Sequence, residues 1–400
     1  MTSIRRCGMI STILTIICFT VLRVESAESN ITFVSVIFRH GDRTPDNNAY
    51  EMYPTDPYLN ETFAPVGLGQ LTNAGKNREF QLGKVLKKRY GEYLGSTYTP
   101  ESVYGISSDY DRTKMSLQLV LAALYPPKGD QQWSKTLNWQ PIPTNYLKRI
   151  EDNLFLADEC PLFKKEYSRV INSPSGQKEL SKFSGLIEYL TKHTGKNMSH
   201  PLDLYYLYLT LATESAMNLT LPSWTNGIFP NGSLFDATVL AYRFANNNTL
   251  LRKLYIGRYL RETTQIMMGI KNGTLNDRRK IYLYSGHETN IAATLFALNV
   301  YKPQVPNFSS AVFTELHYLG GTYYVKFLHY WGIPAVVEEL KLPQCEVLCK
   351  LDDFLKIIAN LIPTDEELSC DKSLTSDYSN YKLPVQIESM MYNYIKTARY

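Results

Sequence analysis

Three short polar segments contain the residues whose types best suit phosphate chemistry, and each follows a candidate strand. The segments read "FRHGDRT", "SSDYDRT" and "YSGHET". Arginine carries a fixed positive charge, and its planar guanidinium group can bind two phosphate oxygens at once. Together the segments provide three arginines, two histidines and one glutamate: Arg39, His40, Arg43, Arg112, His287 and Glu288. The pattern predicts a phosphate-binding site to which all three segments contribute.

The histidine among these arginines suits nucleophilic catalysis. Positive charge around His40 opposes protonation of its imidazole ring, so a neutral attacking nitrogen persists in acid. Attack on phosphorus would form a phosphohistidine, which water then hydrolyses. Glu288 is the candidate proton donor to the leaving alcohol. The alternative interpretation is that Glu288 only caps the helix that follows it.

An open α/β sheet would bring the segments together, because ligands bind beyond the carboxyl ends of its strands. Residues 31–38 form an almost continuous apolar run, which is typical of a strand covered on both faces. Thr72 has the type and position of a helix N-cap. A second strand is expected around Val103, followed by a helix from about Asp111. Residues 320–321 predict the turn of a β-hairpin.

The predicted helices and strands are distributed differently in the middle of the chain and near its ends. Strand and helix patterns alternate near both ends, whereas the middle contains mainly amphipathic helical patterns. We therefore predict a catalytic α/β domain formed by residues 27–145 and 273–400, interrupted by a mostly helical cap at residues 146–272.

The N-terminal region predicts a secretory signal peptide over residues 1–26. Arg5 and Arg6 precede an apolar run of about 14 residues, shorter than the roughly 20 that a membrane-spanning helix needs. A membrane anchor is the less consistent alternative. Eight Asn-x-Ser/Thr sequons fit an exported glycoprotein. They are Asn30, Asn60, Asn197, Asn218, Asn231, Asn247, Asn272 and Asn307.

Four cysteines remain outside the predicted signal peptide, which predicts two disulfides with three possible pairings. They are Cys160, Cys345, Cys349 and Cys370. The segment "CEVLC" has no second Cys or His pair near it, so no metal site is expected. No cofactor motif is evident either. The formal net charge of +4 is too small and dispersed to indicate a nucleic-acid partner.

The segment "RHGDRTP" resembles the signature of the histidine acid phosphatase family, which includes prostatic, lysosomal and insect venom acid phosphatases. Other segments resemble the family in the same order, among them "GLGQLTNAG", "WQPIPT", "LTLPSW" and "LPQCEVLCKLDDF". The resemblance covers essentially the whole mature chain. It implies a three-layer α/β/α histidine-phosphatase domain, like that of phosphoglycerate mutase, with a smaller helical cap. Several relatives are dimers, so a homodimer is one expectation.

The resemblance also implies a role for each candidate residue. His40 would be the phosphorylated nucleophile and His287 a further hydrogen-bond donor to the phosphate. The phosphate-binding arginines would be Arg39, Arg43 and Arg112. Glu288 stands where the family has an aspartate as proton donor. The extra methylene moves the carboxyl group by about 1.5 Å, and a misplacement of about 1 Å can cost ~10²-fold in rate.

Two further expectations come from the resemblance alone. It implies the disulfides Cys160–Cys370 and Cys345–Cys349. It also places Leu204 near the pocket, where relatives carry a tryptophan, so the wall that faces the leaving group is expected to differ.

The leading hypothesis is a secreted acid phosphatase that hydrolyses small-molecule or protein phosphomonoesters, with the lysosome as the alternative location. The predicted optimum lies in mildly acidic solution, where His40 is neutral and Glu288 is protonated with the help of the adjacent anionic phosphate. Two alternatives stay open. One is a phytase-like or phosphotransferase activity, and the other is a weakly active secreted binding glycoprotein, which the unusual Glu288 favours.

Overall fold

The computed structural model of the chain describes residues 30–46 and 51–368. The predicted signal peptide and Cys370 lie outside these ranges, so both stay predictions. Within them, no helix combines the length and the apolar character needed to cross a membrane.

A mixed eight-stranded sheet forms the centre of the molecule, in the order β3-β2-β4-β1-β5-β6-β7, with β8 paired to β6. The strands are β1 Asn30–Arg39, β2 Val103–Ser107, β3 Asn145–Tyr146, β4 Ile281–Gly286, β5 Ala311–Leu319, β6 Thr322–Tyr330, β7 Val337–Leu340 and β8 Cys349–Lys350. Strands β1 to β4 pair in parallel, and β5 to β8 join in antiparallel pairs.

Helices cover both faces of the sheet and form most of the region between β3 and β4. They are α1 Asn73–Leu94, α2 Asp111–Leu124, α3 Pro161–Ile171, α4 Pro174–Ser181, α5 Ser184–Thr194, α6 Pro201–Ala216, α7 Ser233–Ala245, α8 Thr249–Asn272, α9 Glu288–Ala297, α10 Leu351–Ile358 and α11 Asp365–Leu368. Short 3₁₀ turns connect several of these helices.

The first strand shows why the fold has three layers. Side chains alternate across a strand, so successive residues of β1 meet opposite layers. Val34, Val36 and Phe38 pack in a cluster with residues of α1 and α2. Phe33 and Ile37 pack in the cluster that includes α8 and α9. The predicted three-layer α/β/α fold class is confirmed.

The cap boundaries stay a prediction. Helices α3 to α7 lie in the predicted cap, and α6 and α7 pack together through apolar residues. Helix α8, which the prediction assigns to the cap, also contacts the sheet, since Ser35 Oγ and Tyr259 Oη are 3.0 Å apart.

Several local predictions are confirmed. Thr72 Oγ1 accepts a hydrogen bond from Gly75 N at 3.1 Å and caps α1. Strands β5 and β6 form the predicted hairpin around residues 320–321. The Cys345–Cys349 disulfide is present. Cys160 is disulfide-bonded as well, but its pairing with Cys370 stays a prediction.

Candidate active site

The three polar segments meet at one edge of the sheet. Strands β1, β4 and β2 are parallel neighbours, with Arg39 level with Gly286 and Ser107 level with Ser285. Because their carboxyl ends lie side by side, the loops that follow must converge. Backbone hydrogen bonds then join the segments directly, since His40 N donates to Gly286 O at 3.0 Å.

Close backbone packing fixes the loop that carries His40. A Cβ atom on Gly41 would lie 2.5 Å from Gly75 O, and one on Gly75 would lie 2.1 Å from Asp42 O. Only glycine permits this approach between the loop and the first turn of α1. The glycines in "RHGDRT" and "LTNAG" therefore position the loop as a pair.

His40 is buried, and its tautomer follows from its contacts. Nδ1 lies 2.8 Å from Gly41 O, which can only accept, so Nδ1 carries the hydrogen. In the neutral ring Nε2 then holds the lone pair. Burial lowers the pKa of His40 well below its usual range, and the charges of Arg112 and Arg39 lower it further. The sequence predicted the direction from positive charge alone, but burial is the larger cause.

Arg39 lies between an aromatic ring and a carboxylate. Its guanidinium group stacks 4.0 Å from the centre of the Phe308 ring, and Nη1 donates to Pro306 O at 2.6 Å. Nε is 3.2 Å from Glu288 Oε2. These contacts hold the guanidinium group in a buried position beside His40.

The other two arginines are held by acidic residues that sequence reasoning did not assign. Arg43 forms a bidentate pair with Glu51 at 2.8 and 2.5 Å, and Arg112 Nη1 is 3.1 Å from Asp46 Oδ2. Asp46 lies three residues after Arg43 in the same loop, which was the only available signal. Arg112 also stacks 4.2 Å from the Tyr110 ring.

The three arginines keep hydrogen-bonding capacity inside the site. The buried Nε of each makes no hydrogen bond within the described part of the chain, and the contact of Arg39 Nε with Glu288 is an ion pair only. Buried donors without partners are costly in a folded protein. Three buried guanidinium groups with unused donors suit the binding of an anion.

His287 precedes α9 and is fixed by two neighbours. Its Nε2 lies 2.9 Å from Ser108 Oγ, and its backbone N–H donates to Asn290 Oδ1 at 2.9 Å. Burial and the charge of Arg112 lower the pKa of His287 to about 3, although Glu288 opposes the shift. A neutral His287 has one ring N–H, which suits hydrogen bonding to phosphate.

Glu288 is the first residue of α9, and its carboxylate is held on two sides. Oε2 faces Arg39, and Oε1 accepts a hydrogen bond from the Tyr205 hydroxyl. Burial would raise the pKa of Glu288, but Arg39, Tyr205 and His287 together lower it to about 2. With protein groups alone around it, this low pKa favours the ionised carboxylate, whereas the sequence predicted the protonated form for the complex with an anionic phosphate.

The helical cap reaches the site one residue away from the predicted position. Leu204 is buried in an apolar cluster with Leu190 and Leu207, and its neighbour Tyr205 makes the contact with Glu288. Successive residues of a helix point about 100° apart, so a shift of one residue selects a different face. The same helix also fixes the loop of Glu51, since Thr210 Oγ1 donates to Glu51 O at 2.6 Å.

The described ranges contain no group of three or more His, Cys, Asp or Glu side chains that could hold a metal ion. The candidate site contains two histidines, three guanidinium groups and a carboxylate.

The site has a buried neutral histidine among arginines, at the carboxyl edge of an α/β sheet. This arrangement is typical of enzymes that transfer phosphoryl groups or hydrolyse phosphate esters. Residues 30–330 match the family described as "Histidine phosphatase superfamily (branch 2)". A venom acid phosphatase of Apis mellifera is 52% identical over 375 residues, covering 94% of this chain and 96% of that protein. The prostatic acid phosphatase of Homo sapiens is 33% identical over 356 residues, covering 85% of this chain and 88% of that protein.

Solved structures agree on the fold. The apo form of Hafnia alvei phytase aligns with a TM-score of 0.63 and covers 85% of this chain and 98% of that one. Its sequence identity of 14% supports the fold alone. The chain belongs to the histidine phosphatase superfamily, branch 2. The predicted family and the predicted enzyme class, a phosphomonoesterase, are both confirmed.

Proposed function

We propose that the protein is a secreted acid phosphatase that hydrolyses phosphate monoesters through a phosphohistidine at His40. The supporting observation is the buried His40 ring, whose Nδ1–H is bound to Gly41 O, beside three buried arginines whose Nε groups make no hydrogen bond within the described residues. The similarity to venom and prostatic acid phosphatases supports the same activity.

The first step transfers the phosphoryl group to the enzyme. Arg39, Arg43 and Arg112 bind the phosphate oxygens, and His287 donates a hydrogen bond to them. The lone pair of His40 Nε2 attacks phosphorus, so that a P–N bond forms while the bond to the leaving oxygen breaks. That oxygen takes the proton of Glu288 and leaves as an alcohol.

The second step regenerates the enzyme. A water molecule gives one proton to the Glu288 carboxylate and attacks the phosphorus of the phosphohistidine, and the P–N bond breaks with its electrons returning to Nε2. Inorganic phosphate leaves, and one water has been consumed for each ester hydrolysed. The arginines stabilise the negative charge in both transition states.

The ionised form of Glu288 is compatible with proton donation once phosphate binds. The substrate brings negative charge next to the carboxylate and competes for Arg39, and both effects raise the pKa of Glu288. An acidic medium then supplies the proton. The low pKa of His40 keeps Nε2 unprotonated in the same pH range.

The rate should therefore depend on pH in a bell shape. The acid limb arises from protonation of His40 and lies below the usual titration range of histidine, because its pKa is lowered. The basic limb arises when Glu288 loses its proton in the substrate complex. The optimum is expected in mildly acidic solution.

The proposed function includes secretion of the protein with N-linked glycans. All eight sequon asparagines are exposed in the structure, so each is accessible for glycosylation. A mass decrease after enzymatic removal of N-glycans from protein secreted by eukaryotic cells would support it; a secreted product without glycans would contradict the glycoprotein assignment. Homodimer formation stays a prediction, which size-exclusion chromatography with light scattering would test.

The nucleophile is tested by His40→Ala with p-nitrophenyl phosphate at about pH 5. We expect turnover to fall by at least about 10⁴-fold and acid-labile phosphate on histidine to disappear from quenched reactions. His193→Ala, which changes a cap histidine stacked on Trp224, is the matched control and should retain both. Activity of the His40 variant near that of wild type would refute the proposal. Phosphate binding without turnover in the wild-type protein would indicate a binding glycoprotein instead.

A further inference from the structure

The cap provides a hydroxyl group to the candidate proton donor. Tyr205, on α6, donates a hydrogen bond to Oε1 of Glu288, which is 83 residues away in the chain. Oε2, the other carboxylate oxygen, faces Arg39 and therefore the phosphate-binding side. The two oxygens of Glu288 thus have different partners.

Tyr205 is itself held firmly. Its side chain is buried, and its ring makes edge contacts with Tyr206 and Tyr242 at centroid distances of 5.0 and 5.6 Å. Burial and the charge of Glu288 raise the pKa of Tyr205 well above its usual range. The phenol therefore stays a neutral donor throughout the pH range in which the enzyme would work.

We propose that Tyr205 is a positioning residue that fixes Oε1 of Glu288 and so assigns Oε2 as the oxygen that delivers the proton. A glutamate has one more rotatable bond than an aspartate, and the Tyr205 hydroxyl removes that freedom. This proposal depends on the role of Glu288 as proton donor. Tyr205 acts through Glu288 and does not itself take part in bond breaking.

Two substrates separate this role from a general structural role. p-Nitrophenol is a good leaving group that departs with little protonation, whereas the alkoxide of an alkyl phosphate such as glycerol phosphate needs a proton as it leaves. In Tyr205→Phe we expect kcat/KM for glycerol phosphate to fall by about tenfold. For p-nitrophenyl phosphate the fall should stay below about twofold.

Tyr242→Phe is the matched control. Tyr242 is buried against the Tyr205 ring, but its hydroxyl makes no hydrogen bond within the described residues. We expect this variant to match wild type with both substrates. Thermal unfolding of both variants shows whether they are folded.

The pH profile provides a second readout. The hydrogen bond from Tyr205 lowers the pKa of Glu288, so its removal should move the basic limb of kcat for glycerol phosphate to higher pH. A loss of packing alone would lower the rate without moving that limb.

A double-mutant cycle separates the two proposals. Glu288→Gln should slow hydrolysis of glycerol phosphate far more than that of p-nitrophenyl phosphate, and adding Tyr205→Phe should then have no further effect. If Glu288→Gln slows neither ester, or both equally, the proton-donor role of Glu288 is wrong. If Glu288→Gln behaves as expected, two results would overturn the Tyr205 proposal: equal losses on both esters, or additive effects in the double variant.

Discussion

The pKa values of two buried glutamates in this protein are shifted in opposite directions. Glu288 faces Arg39 and Tyr205, and its pKa is lowered to about 2. Glu214, on α6, lies against Asp56, and its pKa is raised, first by burial and then by the Asp56 charge. Both residues are at most 4% exposed, and burial raises both pKa values. The sign of the net shift is decided by the neighbouring charge.

Burial and mutual repulsion favour a proton on the carboxyl pair of Asp56 and Glu214. Two ionised carboxylates in a buried site repel one another, and one proton shared by the pair removes that repulsion. Glu288 is the reverse case, since its ionised form is stabilised by a cation. The comparison shows how one fold keeps one carboxyl group charged and another neutral in the same solvent.

The largest expected effect comes from removing the cation beside Glu288. Arg39→Ala deletes a phosphate ligand and the charge that lowers the pKa of Glu288, so kcat/KM should fall by about 10²–10³-fold. Steady-state kinetics with p-nitrophenyl phosphate measure the loss. Arg169→Ala, which removes an exposed arginine paired with Glu166, should leave kcat/KM unchanged. If kcat/KM of the Arg39 variant stayed within threefold of the wild-type value, Arg39 would not be a phosphate ligand.

The second effect is on the pH dependence of stability. The pKa of Glu214 is higher in the folded chain than in an unfolded one, so its contribution is complete in acid and is lost as pH rises. Wild type should lose on the order of 2 kcal/mol of unfolding free energy between about pH 5 and 8. Glu214→Gln cannot ionise and should lose less than half as much in urea titrations at each pH. An unchanged slope in this variant would contradict the shared proton.

Glu288→Gln is the matched variant for which the unfolding free energy should depend on pH in the opposite direction. The pKa of Glu288 is lowered by folding, so its contribution is present above the usual carboxyl range and is lost as pH falls towards 2. The variant should flatten the acid side of the stability profile and leave the neutral side unchanged. A change in the unfolding free energy at neutral pH only would contradict the lowered pKa of Glu288.

The smallest effect is expected at the Tyr53 hydroxyl near the carboxyl pair. This hydroxyl is buried and makes no hydrogen bond among the residues that the structure describes. Its removal in Tyr53→Phe should therefore change the unfolding free energy by less than about 0.5 kcal/mol. Urea unfolding at about pH 5 measures it. A loss above about 1 kcal/mol would show that the hydroxyl stabilises the pair.

The sequence predicted the framework of the site because its parts are contiguous. Each segment couples a strand end with its polar residues, and parallel neighbours must bring those ends together. The N-cap at Thr72 and the hairpin at residues 320–321 depend on local geometry, which short segments encode.

The partners of these residues were not predictable in the same way. Glu51 contacts Arg43, and Asp46 contacts Arg112. Both acidic residues lie outside the helices and strands, so no periodic pattern predicts their contacts. Tyr205 comes from a cap helix, and its contact with Glu288 depends on the rotation of that helix about its axis. Burial of His40 depends on the whole fold, so the main cause of its low pKa could not be seen in local charge.

Helix α6 has a consequence for protein engineering. It supplies Tyr205 to the carboxyl group of Glu288, and through Thr210 it anchors the backbone of Glu51, the residue that clamps Arg43. A chimaera that exchanged this helix for that of a relative, in order to admit a bulkier ester, would change proton delivery and phosphate affinity at the same time. Under the proposed mechanism, selectivity and turnover are therefore coupled in this scaffold, and redesign of one requires compensating substitutions for the other.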